Sequence, residues 1–319
     1  MSNPVPSQGI HPTPALEEHA ADPFVERVVF ATDGGPAGAG ATRWIEHRAK
    51  MHRLDIQIEM VVELDWMTQE LSGAAFTDAA DAIVESAKEY LGRTAPSARV
   101  ETEVTWGEPR ERLEQASEHA DLIVVGTSRS GRLAGMLGST FPVKLAESAR
   151  CPAIVVPKKW KPGHGAVVVG IQGDDYDDPA LRFAIHEARV LHRPLKIVHA
   201  WELPPMQFPA GLLADRFAHA PNPQGAVLAR VVEAVRRENP DLEVTGLLVE
   251  EGPASALIHE AAGAELLVVG SHGLTVADRL FIGSVSREIL SRPPCPVAVI
   301  RPKAHPRAVR PAAPTVGEK

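Results

Sequence analysis

Residues 121–157 of this 319-residue chain are rewritten, with few changes, at residues 265–302. The first copy runs Asp121-Leu-Ile-Val-Val-Gly126, then Leu137-Gly138-Ser139, then Cys151-Pro152-Ala-Ile-Val-Val-Pro157. The second runs Glu265-Leu-Leu-Val-Val-Gly270, then Ile282-Gly283-Ser284, then Cys295-Pro296-Val-Ala-Val-Ile-Arg-Pro302. Gly126 and Gly270 stand 144 residues apart, and so do the two Cys-Pro pairs. That period is too long for a solenoid repeat and suits a duplicated domain. Whatever one half does must be asked of the other.

Composition narrows the function classes. With 44% hydrophobic residues the chain can fill two ordinary cores. Against 41 acidic residues stand 33 basic ones, a net charge of −8, which argues against a broad electrostatic grip on nucleic acid or on an anionic membrane. No apolar run is long enough to span a bilayer, and the polar N-terminus does not read as a secretion signal. Cys151 and Cys295 occupy equivalent strand starts and read as small core residues, not a bridge. The expectation is a reduced, soluble, cytoplasmic protein.

The pattern of elements divides the chain into tails at 1–23 and 303–319, domains at 24–157 and 166–302, and a polar linker at 158–165. In the first domain, strands are expected at 28–31, 56–64, 98–106, 122–125 and 153–156, with helices at 41–52, 74–91, after Pro109 and at 142–149. The second repeats the cycle, with strands at 167–169, 195–200, 243–249, 266–269 and 297–300 and a Pro-rich excursion over 203–223. Strands alternating with helices call for a parallel sheet. Strands apolar at every position, such as Leu122–Val125, call for helices on both of its faces. Each half is therefore expected to be a doubly wound, five-stranded α/β unit.

In such folds ligands sit beyond the carboxyl ends of the strands, where strand order reverses. Two segments of each half belong there. One is the turn after the first strand, Thr32-Asp33-Gly34-Gly35 and Ile171-Gln172-Gly173-Asp174. The other is the loop after the fourth strand, which in the second half runs Gly270-Ser271-His272-Gly273, nine residues, then Gly283-Ser284-Val285. Glycines admit close approach of the backbone, and a Gly-Ser pair opening a helix offers free amides at the positive end of its dipole. No Gly-Lys-Ser/Thr phosphate loop is present.

The spacing Gly-x-x-Gly, nine residues, Gly-Ser, closing on a Cys-Pro strand, resembles the universal stress protein family, and the resemblance covers both halves. It implies two tandem Rossmann-like domains of the adenine nucleotide alpha hydrolase-like kind. It also implies a site for ATP, with Mg²⁺ as a companion cation, in a stress-response protein. Carried over, the phosphate side of the second half is Gly270, Gly273, Gly283, Ser284 and Val285, and its adenine side is Gln172 and Ala200. Gln172 replaces the family's Asp. The first half keeps Asp33 and Val61 but has Arg129 where the second Gly belongs, and eight residues separate Arg129 from Gly138-Ser139; its candidates are Asp33, Val61, Gly126, Arg129, Gly138 and Ser139. The resemblance further implies an intramolecular pseudo-dimer joined through the apolar fifth strands, with a homodimer as a further state and an unidentified protein partner.

The remaining residues point to packing. His199 ends a buried strand, Asp177 or Asp178 is placed to cap the helix beginning at Pro179, and Trp66, Trp106 and Trp201 sit near strand ends. No Cys/His cluster has zinc spacing, and no nucleophile with a base partner stands out. Regulatory ATP binding, tighter in the second domain, is the leading expectation. A nucleotide-independent scaffold is the alternative, and catalytic ATP hydrolysis is the weakest of the three.

Overall fold

The structure, a computed structural model, describes residues 25–63, 73–127, 141–173, 178–202, 223–271 and 282–301. Ten strands form a single sheet. They are β1 (Val25–Ala31), β2 (Arg53–Val62), β3 (Arg99–Trp106), β4 (Leu122–Thr127), β5 (Ala153–Pro157), β6 (Val167–Ile171), β7 (Leu195–Trp201), β8 (Val244–Glu250), β9 (Leu266–Gly270) and β10 (Val297–Ile300). Their order is β3-β2-β1-β4-β5-β10-β9-β6-β7-β8. All pairings within a half are parallel, and the β5–β10 pairing alone is antiparallel.

The described helices follow the strands in the same rhythm in each half. The first carries α1 (Gly38–Arg48), α2 (Gly73–Thr94), α3 (Pro109–Ser117) and α4 (Phe141–Ser148); the second carries α5 (Pro179–Val190), α6 (Pro223–Glu238), α7 (Pro253–Glu260) and α8 (Ser284–Ser291). Local chemistry sets several of the starts. Pro109 opens α3 behind Glu108, whose carboxylate accepts the Glu111 N–H at 2.8 Å. Asp178 does the same for α5, accepting from Ala180 and Leu181, so of the two expected caps Asp178 is the one that serves.

Because side chains alternate along a strand, the sheet has two cores. Val28 and Phe30 join Trp44, Leu91, Leu181 and Val235 beneath α1, α2, α5 and α6. Val29 and Ala31 join Leu113, Leu145, Leu257 and Ile289 beneath α3, α4, α7 and α8. The central strands are buried on both faces, whereas the outer strands β3 and β8 are largely half-buried or exposed; β3 carries Arg99, Glu101 and Glu103, and β8 ends on Glu250. Charge on such edges discourages sheet extension by another chain.

At the seam Ile154 faces Ala298, with Val155 opposite Val297 and Ala153 opposite Val299. Ile154 and Ala298 are equivalent positions of the repeat, so a pseudo-twofold axis passes between them and each fifth strand covers its counterpart's edge. The linker is less free than its polar composition suggests. Trp160 is buried in the first core, and its carbonyl accepts from Arg43 Nε at 2.9 Å. Gly165 passes so close to Gly263 that a Cβ would lie 2.1 Å from its carbonyl oxygen. An indole drawn into apolar surroundings outweighs the run of lysines around it.

Candidate functional site

In the second half the order β7-β6-β9 reverses direction at β6, and the expected residues gather at the carboxyl ends of these strands. Ile171 ends β6 opposite His199 of β7. Gln172 then emerges exposed, and Ala200 stands one residue beyond His199. On the other side, Gly270 ends β9 opposite Ile300.

Two hydrogen bonds bring the start of α8 back to this edge. The Gly283 N–H donates to the Ser271 carbonyl at 2.9 Å, and the Ser286 hydroxyl donates to the Gly270 carbonyl at 2.7 Å. Ser286 is buried, Ser284 exposed and Val285 half-buried. Gly283 is the N-cap in extended backbone and no side chain among the described residues caps the helix, so these residues leave the amides of the first turn uncapped. A Cβ placed on Gly270 would meet nothing within 4 Å among the described residues. Uncapped amides, a hydroxyl and a glycine clear of the other described residues make a place where an anion can be held. Gly273 lies outside the described residues, as do His272 and Asp174, Asp175 and Asp177.

The neighbouring histidine has a structural task. His199 is 3% exposed; its Nδ1 lies 3.2 Å from the Ile171 carbonyl and its Nε2 lies 2.7 Å from Gln224 Oε1. It therefore ties the end of β6, immediately before Gln172, to β7 and α6. Neither the Gln224 nor the Ser286 contact carries a signal in the sequence, since each depends on which strand end lies opposite.

At the same edge of the first half the turn after the first strand is among the described residues. It closes on itself: Thr32 Oγ1 accepts the Gly34 N–H at 3.1 Å and Asp33 Oδ1 accepts the Gly35 N–H at 2.8 Å, with Gly34 at φ +69°. Val61 is buried in the second core. At Gly126 a Cβ would lie 2.1 Å from the Ala37 carbonyl oxygen, so this glycine admits the incoming turn of α1. Arg129, Gly138 and Ser139 lie outside the described residues. Beneath Val61, on the same face of β2, Glu59 is 3% exposed, and its Oε2 has no partner among the described residues. Burial, aided by Glu103 opposite on β3, pushes its carboxyl up to about 7, against the bond from Thr105 and the charge of Arg112.

Among the described residues no three of His, Cys, Asp and Glu stand together as a metal cage, and no helix is long and apolar enough to cross a membrane. Cys151 and Cys295 are buried free thiols, and burial pushes both up.

Comparison with known proteins agrees with this geometry. The model of the universal stress protein family matches residues 25–157 and again residues 164–301. Universal stress protein Rv2005c of Mycobacterium tuberculosis is 30% identical over 295 residues, covering 86% of this chain and 96% of its own. Rv1996 of the same organism is 28% identical over 299 residues, covering 86% and 94%. Among solved structures, a universal stress protein from Archaeoglobus fulgidus superimposes with a TM-score of 0.62 at 18% identity, over 86% of this chain and 98% of that one. That likeness establishes the shared fold. With the family's unit matched twice along its length, this chain belongs to the universal stress protein family.

Proposed function

We propose that the second half binds an adenine nucleotide, ATP, as a regulatory ligand of a cytoplasmic stress-response protein, and binds it more tightly than the first half. The observation that carries this reading is the uncapped start of α8, held by Ser286 against the end of β9 beside the open face of Gly270. Amides and dipole there suit phosphate oxygens, and Gly270, Gly283, Ser284 and Val285 are the residues that would hold them. Gln172 and Ala200 would meet the base, Gln172 with both a donor and an acceptor. Mg²⁺, where present, would bridge phosphate oxygens; the described residues provide no cage for it. In the first half Arg129 stands where the family's second Gly belongs, and eight residues separate it from Gly138-Ser139, which supports weaker binding there.

The second reading, a scaffold that works without nucleotide, is favoured by Gln172 standing where the family has Asp. One series of measurements separates the two. Denaturing the purified protein should release adenine nucleotide, and calorimetric titration of the stripped protein should show ATP binding. Gly283→Val puts a branched side chain at the anion's approach. Among the described residues its first atom would meet only the Ser271 carbonyl, at 3.7 Å, so the fold should be kept. Binding should weaken tenfold or more with the melting temperature unchanged. An empty protein with no measurable ATP affinity would establish the scaffold reading instead.

A further inference from the structure

The two halves meet not only along β5 and β10 but also through α1 and α5, and there a buried charge cluster crosses between them. Arg48 of α1 is 2% exposed and Glu187 of α5 is 1% exposed. Arg48 Nη1 donates to Glu187 Oε2 at 2.8 Å and Nη2 to Oε1 at 2.9 Å. The same guanidinium donates through Nε and Nη2 to both oxygens of Glu26 of β1, at 2.6 and 2.7 Å, and its carbon lies 5.1 Å from the centre of the Trp44 ring. Burial opposes these charges, yet Glu187 and Glu26 hold Arg48 well above its ordinary value, and Arg48 in turn holds Glu26 below its own.

Arg48 and Glu187 are the same position of the repeat. Helix α1 reads Ala41-x-Arg43-Trp44-x-x-His47-Arg48-Ala49, and α5 reads Ala180-x-Arg182-Phe183-x-x-His186-Glu187-Ala188. Every matched residue is 139 apart, as are Val28 and Val167 and the residues they pair with on the neighbouring strand, Ile56 and Leu195. The flanking residues keep their character across the two copies, and the residue at the axis reverses its charge. In a pair with a twofold axis each such residue faces its own equivalent. Two copies of the first half would therefore bring Arg48 up to Arg48, each keeping only its own Glu26, and two copies of the second would bury Glu187 against Glu187 with no arginine between them. Like charges out of water repel strongly and leave each other unsatisfied.

We propose that Arg48 and Glu187 form an addressing pair: the seam face of each half accepts the opposite half and rejects a second copy of itself. The apolar seam adds a steric preference in the same direction, since self-pairing would set Ile154 against Ile154 or Ala298 against Ala298 in place of the complementary Ile–Ala contact. The charges supply specificity through the cost of the wrong pairing. The partner for which each face is built is thus the other half, in the same chain or in another copy of it.

The intact chain provides the test. Arg48→Glu places Glu at both positions and Glu187→Arg places Arg at both, so each single variant recreates one self-pairing. The double variant R48E/E187R restores opposite charges. Hydrogen exchange at the amides of β5 and β10 should accelerate about a hundredfold or more in each single variant, while β1 and β6 inside the halves stay protected. The double variant should return to within tenfold of the parent, since Glu26 still favours an arginine at position 48. Seam protection unchanged in the single variants, or a double variant as exposed as they are, would overturn the proposal. Should the reversals not fold, R48M/E187M replaces the pair by apolar groups that keep the seam but carry no address. Refolded at high concentration, this variant should give a larger fraction of multi-chain species than the parent by light scattering. An equal fraction would sink the idea.

Discussion

Glu59 shows how one residue couples the fold to pH. Its carboxyl is held at about 7 in the folded protein against an ordinary 4.5, first by burial and then by Glu103. The folded state therefore binds its proton more tightly than the unfolded state, so this group's contribution to stability falls as pH rises from about 4.5 to about 7 and is flat above. Replacing Glu59 by Gln should leave stability unchanged near pH 4.5 and raise it by on the order of 3 kcal/mol at pH 8. Denaturant melts across that range check it; a Gln variant no more stable at pH 8 would show that the carboxylate has found water or a partner. Gly126 and Gly270 make a second comparison. Gly126→Ala forces a methyl against the Ala37 carbonyl and should cost about 3 kcal/mol. Gly270→Ala meets nothing within 4 Å among the described residues, should shift stability by less than about 0.5 kcal/mol, and should act on nucleotide affinity instead. The sequence does not show the crowding at Gly126, because the carbonyl that causes it belongs to Ala37, 89 residues upstream; the equivalent residue of the second half, Tyr176, lies outside the described residues.

At the scale of elements, most of the architecture was legible. The apolar runs of β4, β5, β9 and β10 announce strands covered on both faces, and Pro behind an acidic residue or a glycine marks the starts of α3, α5 and α7. The anchoring of the polar linker was not legible, because Trp160 finds a core that composition does not show. The start of α8 was legible as a Gly-Ser pair, but its anchoring was not. Ser286→Ala should cost about 1–2 kcal/mol by leaving the Gly270 carbonyl without its hydroxyl donor, and thermal melts with ATP titrations would show stability and affinity falling together. Amides of this kind hold ground-state phosphates about as well as a transition state, and uniform binding does not accelerate chemistry. Phosphate release with Mg²⁺ and excess ATP should accordingly stay far below about one turnover per second. A rate near that value, lost in the Gly283→Val variant, would make the protein an ATPase.

Across the whole molecule, joining β5 to β10 turns two sheets with bare apolar edges into one sheet whose exposed edges are the charged strands β3 and β8. Ile154→Lys would place an ammonium at the axis opposite Ala298. It should open the seam and drive the chain into aggregates at concentrations where the parent stays monodisperse, as light scattering would report. The duplication, the order of strands and helices, the two glycine loops and the family were all set by residue order, because periodicity, turn chemistry and repeat spacing are local properties of a chain. What only the tertiary structure decided is which distant groups meet. Arg48 opposite Glu187, the α1 turn against Gly126, Ser286 on the end of β9 and His199 between Ile171 and Gln224 are contacts made when the sheet and its helices pack together. Their strength depends on burial and register, which no single stretch of sequence contains.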